Sequence, residues 1–197
     1  AIGPTDEEVR EVYARVNKYT VPLTKQELRR ADFPGDFLNI SEELAIEEFF
    51  DTSNIFTAAN RRRYADVEYI SELLAGLICG IQDKKDNLDD FYIQYSSWDE
   101  SHKREVINRF KSVLRDMSLI FNDDLNIAKT RFRQKSDFYT LFLVIDEFLC
   151  AGYSLTNQCL QPLREDLRIL DNCIRPDSAV DVRSEYSIKC VSQANSA

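Results

Sequence analysis

Arg15, Asn17, Gln26, Glu27 and Arg29 fall within one short segment, Arg15-Val16-Asn17-Lys18-Tyr19-Thr20-Val21-Pro22-Leu23-Thr24-Lys25-Gln26-Glu27-Leu28-Arg29. Arginine offers a planar pair of donors to a phosphate or a carboxylate. Thr24-x-x-Glu27 is a capping box, so a helix starts there, and a helix N-terminus can hold an anion. The chemistry on offer is anion binding, or the bracing of a group that carries one. The plainer alternative is a tied corner, with Asn17 capping the chain and Arg29 paired with a surface acid. Residue types alone favour the tied corner. Two basic clusters follow, Arg61-Arg62-Arg63 and Lys129, Arg131, Arg133, Lys135, each beside an aromatic, Tyr64 or Phe132. They could contact nucleic-acid phosphates. The alternative is a solvated face offsetting acids such as Asp66 and Glu68, and the formal net charge of −9 favours it.

Other reactive groups give less. Acid pairs recur, from Asp6-Glu7-Glu8 to Asp146-Glu147. A di-iron bundle site needs Glu-x-x-His on two helices, and the single histidine, His102, has no such spacing. His102 reads as exposed and structural. Asp146-Glu147, inside a mostly apolar helix, reads as an outward edge or as a buried partner for an arginine. The five cysteines contain no CxxC pair. Cys79 and Cys150 sit in apolar runs and read as buried thiols of a reducing cytosol. Trp98 with Tyr92 and Tyr95 reads as packing. No Gly-rich phosphate loop, GxSxG or HExxH is present. The expected metal and cofactor content of this chain is none.

The 197 residues fit one domain, or two small ones. A hydrophobic share of 44% excludes a disordered chain, and 5 Gly with 5 Pro exclude collagen-like repeats. The longest apolar stretch, Leu141 to Ile145, is far below the ~18 residues of a membrane span, and the acidic start AIGPTDEEVREV is no secretory signal. A cytoplasmic location is expected, with no membrane partner.

The elements that would position these groups are helices. Thr5-x-x-Glu8 and Thr24-x-x-Glu27 start the first two, with Leu23 and Leu28 placed as a hydrophobic staple around the second. Pro34-Gly35 ends it. Further helices are predicted from about Ser41 to Phe50, from Ala65 to Gly80, from Ser101 to about Phe121, from Ser136 to Gly152 and from Pro162 to Ile174, the last with proline in its first turn. FYTLFLVIDEFLC is apolar nearly all round, which places that helix at the centre of the core. Residues 51–60 read as a loop, residues 82–90 as a charged connector, and FYIQY at 91–95 is the one candidate strand. The predicted fold is all-α, an irregular multi-helix domain of about seven or eight helices around one core. Residues 1–35 form a helix–turn–helix corner, 36–177 the helical core, and 178–197 a polar tail that reads as truncated.

TDEEVREVYARVNKYTVPLTKQELRRADFPGDF resembles the middle of proteins of the GmrSD-type, ParB/sulfiredoxin-like family, called domain of unknown function 262. That family shows a helix ending in Arg-x-Asn, a short connector, a Leu, a Gln-Glu-Leu-Arg helix and a Gly soon after. The matching positions are Arg15, Asn17, Leu23, Gln26, Glu27, Leu28, Arg29 and Gly35. Arg62-Arg63 with Asp66 and Glu68 is similar to the family's Arg-then-Asp-x-Glu helix entry, and FRQKSDFYTLF (132–142) to its later helix. The connector here is Lys18-Tyr19-Thr20, where many members carry small residues. The family's catalytic Asp-Gly-Gln-Gln-Arg run and its HNH nuclease segment do not occur in this sequence.

The resemblance implies the helical region C-terminal to a missing ParB-like domain, in keeping with a chain that begins at Ala1 rather than Met. Such a region is not catalytic alone. It would pack on or regulate a nucleotide-hydrolysing domain within a bacterial protein that restricts modified or foreign DNA. The implied partners are that upstream domain, DNA and a second copy, and the parent protein would use a nucleotide. Arg15, Asn17, Gln26, Glu27 and Arg29 would line or brace the junction. The other readings are a stand-alone helical protein-interaction module, and a DNA-contacting domain using the two basic clusters.

Overall fold

The computed structural model describes Arg10, residues 22–81 and residues 88–175. Among the described residues every regular element is helical. Nine α-helices follow in order: α1 (Lys25–Asp32), α2 (Asp36–Ala45), α3 (Glu48–Thr52), α4 (Ala58–Arg62), α5 (Ala65–Cys79), α6 (Leu88–Gln94), α7 (Glu100–Ile120), α8 (Lys135–Cys150) and α9 (Asn157–Cys173). Two 3₁₀ turns, Ile127–Lys129 and Arg131–Arg133, join α7 to α8. The all-α expectation holds, and seven of the nine helices have seven or more residues. No described helix is long and apolar enough to cross a membrane. The expected Thr5 helix start, Arg15, Asn17, Cys190 and the 178–197 tail lie outside the described residues.

The centre of the core is α5. Ten of its fifteen residues are buried, and it packs against α2, α4, α6, α7 and α8. A sheath of aromatic rings surrounds it. Phe138 lies 6.1 Å from Tyr69, from Phe50 and from Phe142 between ring centroids, and Phe110 lies 4.9 Å from Phe142. The predicted centre, α8, is a flank instead. It buries Phe138, Phe142 and Ile145, while Val144 and Phe148 on its outer side are 41% and 55% exposed. Small residues explain the difference: Ser71, Ala75 and Gly76 let neighbours approach α5 from several sides, and a Cβ on Gly76 would stand 2.9 Å from the Tyr139 hydroxyl.

Several boundaries differ from the sequence reading. The stretch around Ser41–Phe50 spans two helices: α2 starts earlier, at Asp36, and ends at Ala45, and α3 begins at Glu48 after a break at Ile46 and Glu47. The first turn of α2 docks on the 95–96 backbone, with Asp36 N–H donating to the Ser96 carbonyl at 2.9 Å and Phe37 N–H to the Tyr95 carbonyl at 3.1 Å. Residues 51–60 hold the end of α3 and the start of α4, where Thr57 and Asn60 form a second capping pair. FYIQY is the body of helix α6, not a strand: Leu88 and Tyr92 face inward at helical spacing and Ile93 faces solvent. The last helix starts five residues before Pro162, which sits inside it on the exposed side. There the proline removes only the bond to the Gln158 carbonyl. The Leu23–Leu28 staple is not buried, since the two leucines are 63% and 46% exposed. Cys79, Cys150 and Cys159 are exposed rather than buried, the first two because each closes a helix on its outer side.

Candidate functional site

Helix α1 is inverted. Its buried residues are Gln26 and Arg29, while Leu28 and the preceding Leu23 face outward. The Thr24–Glu27 capping box forms as predicted, with Glu27 N–H donating to Thr24 Oγ1 at 3.1 Å and Thr24 N–H donating to Glu27 Oε2 at 2.7 Å. That backbone N–H, helped by the nearby Arg63 charge, holds the Glu27 carboxyl below its ordinary range.

Beneath the helix runs an ordered chain of hydroxyls. Gln26 Nε2 donates to the Tyr92 hydroxyl at 2.7 Å. Tyr92 meets Ser71 Oγ at 2.6 Å, Ser71 reaches Ser41 Oγ at 2.9 Å, and Ser41 donates to the Phe37 carbonyl at 2.8 Å. Ser71 Oγ also lies 2.9 Å from the Val67 carbonyl, so its one hydrogen has two acceptors, and the chain links α1 through α6 and α5 to α2. Burial pushes the Tyr92 phenol above its ordinary value, so it stays protonated and keeps donating. Gln26 Oε1 is buried with no hydrogen-bond partner among the described residues.

Arg29 is the second anchor. Its side chain is 5% exposed and bridges Glu68 on α5 at 2.9 Å and Asp89 on α6. Burial disfavours the guanidinium charge, but the two carboxylates outweigh it and hold its pKa above the ordinary value.

The first basic cluster joins this corner. Arg63 Nη2 donates to the Pro22 carbonyl at 2.6 Å and bridges Glu27 at 3.0 Å. Tyr64 adopts a left-handed conformation at φ 55°, uncommon for a bulky residue. Its ring lies 4.4 Å beneath the Arg30 guanidinium, which also donates to its hydroxyl. Arg61 instead pairs with Asp51 at 2.6 Å, and Arg62 is exposed. The structure therefore brings Gln26, Glu27, Arg29 and Arg63 together. Sequence reasoning missed Tyr92, Glu68 and Asp89 as their partners, since nothing local links α1 to residues 39 to 66 positions away.

The second basic cluster lies around the 3₁₀ turns and the start of α8. Arg131 bridges the fully buried Asp137 at 2.7 Å, and its backbone N–H donates to Asp171 Oδ1 at 2.6 Å. Lys135 Nζ donates to the Ala65 carbonyl at 3.2 Å and stands 5.0 Å above the Tyr69 ring. Lys129 and Arg133 are exposed. Both clusters thus meet the N-terminal end of α5, with Arg62, Lys129 and Arg133 as their exposed members. Asp146 is the buried acid expected on α8, bonded at 2.6 and 3.2 Å to Arg109 of α7. His102 is exposed near the start of α7, and Trp98 packs on Phe37, both as expected.

No group of three or more metal-ligating side chains occurs among the described residues. Comparison with protein-family models, with curated proteins and with solved structures gives no match to this chain.

Proposed function

We propose that this chain is a non-catalytic helical module that carries a neighbouring domain, through the junction that the GmrSD-type resemblance implies. The observation that supports it is the inversion of α1. An ordinary amphipathic helix turns its leucines inward. This one spends Gln26 and Arg29 on fastening itself to α5 and α6, and presents Leu23 and Leu28 outward. A helix fastened from below by polar bonds, with Leu23 and Leu28 exposed among Lys25, Arg30 and Asp32 on its outer side, offers apolar anchors within a charged rim to a second body. In this reading the second body is a nucleotide-hydrolysing ParB-like domain, and the whole protein acts against foreign DNA. Any contact with DNA falls to Arg62, Lys129 and Arg133.

The test uses Leu28→Asp and Leu23→Asp in the native protein, since both positions are exposed and the changes spare the core. The expected result is loss of nucleotide hydrolysis and of DNA restriction with an unchanged melting temperature. Unchanged hydrolysis and unchanged restriction of foreign DNA would overturn the reading. A stand-alone protein-interaction module is the second reading.

A further inference from the structure

A groove lies between α7, α8 and α9. Its floor and walls are Ile120, Ile145, Leu149, Leu163 and Leu167, and Leu155 of the loop joining α8 to α9 closes one end. Its volume is about 320 Å³, within the size range of small-ligand sites. Phe148 and Tyr153 stand at its mouth, rings 5.8 Å apart and edge to face, 55% and 66% exposed.

One carboxylate lines this mostly apolar space, whose other polar members are Tyr153, Ser154 and Cys159. The carboxylate is that of Asp116 on α7, only 5% exposed. A carboxylate in such surroundings needs a counter-charge or several hydrogen bonds. The cation bonded to it is Arg115, the adjacent residue, and adjacent positions on a helix do not face each other. Arg115 accordingly remains 64% exposed, and its Nε and Nη2 both reach one oxygen, Oδ1, at 3.2 Å. Those bonds leave Oδ2 unaddressed. Arg164, the buried arginine of α9, does not serve it either. Its Nε and Nη2 donate to the Ile120 and Leu119 carbonyls at 2.9 and 2.6 Å, capping the end of α7.

We infer that the groove binds a small apolar amine, its hydrocarbon part against Ile145, Leu163 and Leu167 and its ammonium against Asp116. The complementarity is twofold. Apolar walls select the hydrocarbon, and a largely buried carboxylate, paired on one oxygen only with the outward-lying Arg115, selects a positive charge over a neutral or negative head group. This site is independent of the α1 junction.

The probes are n-octylamine, n-octanol and n-octanoate, which share one tail and differ in head group. Binding to the full chain is followed by NMR shifts of the Ile145 and Leu163 methyl groups. Octylamine is expected to bind about tenfold more tightly than octanol, and octanoate more weakly than either. Asp116→Asn should abolish the preference for amine over alcohol while octanol still binds, which also shows that the variant folds. Asp116→Ser serves in its place if that variant does not fold. Leu163→Trp, filling the groove, should block all three. Equal binding of amine and alcohol, a preference that survives without Asp116, or no binding of any probe would overturn the inference.

Discussion

At the scale of single residues, the chain's acids do positioning work. Glu27, Asp36 and Asp99 each accept a backbone N–H at or near a helix start: Glu27 from Thr24, Asp36 from Trp98 at 2.9 Å, Asp99 from Ser101 and His102 at 3.1 Å. The three carboxyls are held below their ordinary values. Backbone donors dominate for Glu27 and Asp36, and the Ser101 hydroxyl, then the His102 backbone N–H, dominates for Asp99. A group whose folded pKa lies below its unfolded one stabilises the fold fully above the unfolded value. It loses that contribution as the pH falls through the folded value. Stability should therefore be level near neutral pH and decline below about pH 4, where ordinary carboxylates titrate. Urea midpoints measured from pH 7 to pH 2.5 check this. A combined Glu27→Gln, Asp36→Asn, Asp99→Asn variant should start lower at pH 7 and fall less on acidification. A variant that fell as steeply as the wild type would show that other groups drive the acid response.

Helices and their joints carry the next lesson. Gly35 stands where the end of α1 passes into α2, and a Cβ there would lie 2.4 Å from the Ser96 carbonyl oxygen. The contact is with backbone, so it cannot yield as a flexible side chain would. Gly35→Ala should cost about 1–3 kcal/mol through overpacking and detach the first turn of α2 from residues 95–96. A denaturation curve matching wild type would refute that. Such a joint shows what the sequence does and does not reveal. Helix type was legible where capping residues and apolar spacing agreed, as at Thr24–Glu27 and along α5 and α7. Pro34-Gly35 was legible as a break, but not its docking on Ser96, a contact across the fold. FYIQY misled because its aromatic content imitates a strand, while the helical spacing of Leu88 and Tyr92 became decisive only once α5 offered them a surface. The candidate site was legible by half. Gln26, Glu27 and Arg29 stood out by type and spacing, but whether they face a ligand or the protein depends on Tyr92, Glu68 and Asp89, which only the tertiary fold supplies.

For the molecule as a whole, the question is whether α1 belongs to the cooperative unit centred on α5. The aromatic core around Phe138 holds α5, α7 and α8 by burial, which resists local opening. Helix α1 is attached mainly by polar groups, Gln26, Glu27 and Arg29, with Leu28 outside and Phe33 at its C-terminal cap as the apolar anchor. Polar attachment contributes modestly per bond, because each bond replaces one to water. It follows that α1 opens by itself more readily than the core does. In hydrogen exchange, the amides bonded within α1, such as Leu28 to Thr24 and Phe33 to Arg29, should exchange well before those of α5. Arg29→Ala should lower α1 protection by roughly tenfold or more while leaving α5 amides nearly unchanged. Equal loss in both helices would mean that α1 is part of the core's own unit, and that whatever docks on its leucines is coupled to the stability of the entire fold. The expected outcome instead makes α1 a separately adjustable seat. A body packed on Leu23 and Leu28 would then raise α1 protection selectively, by binding the closed form alone.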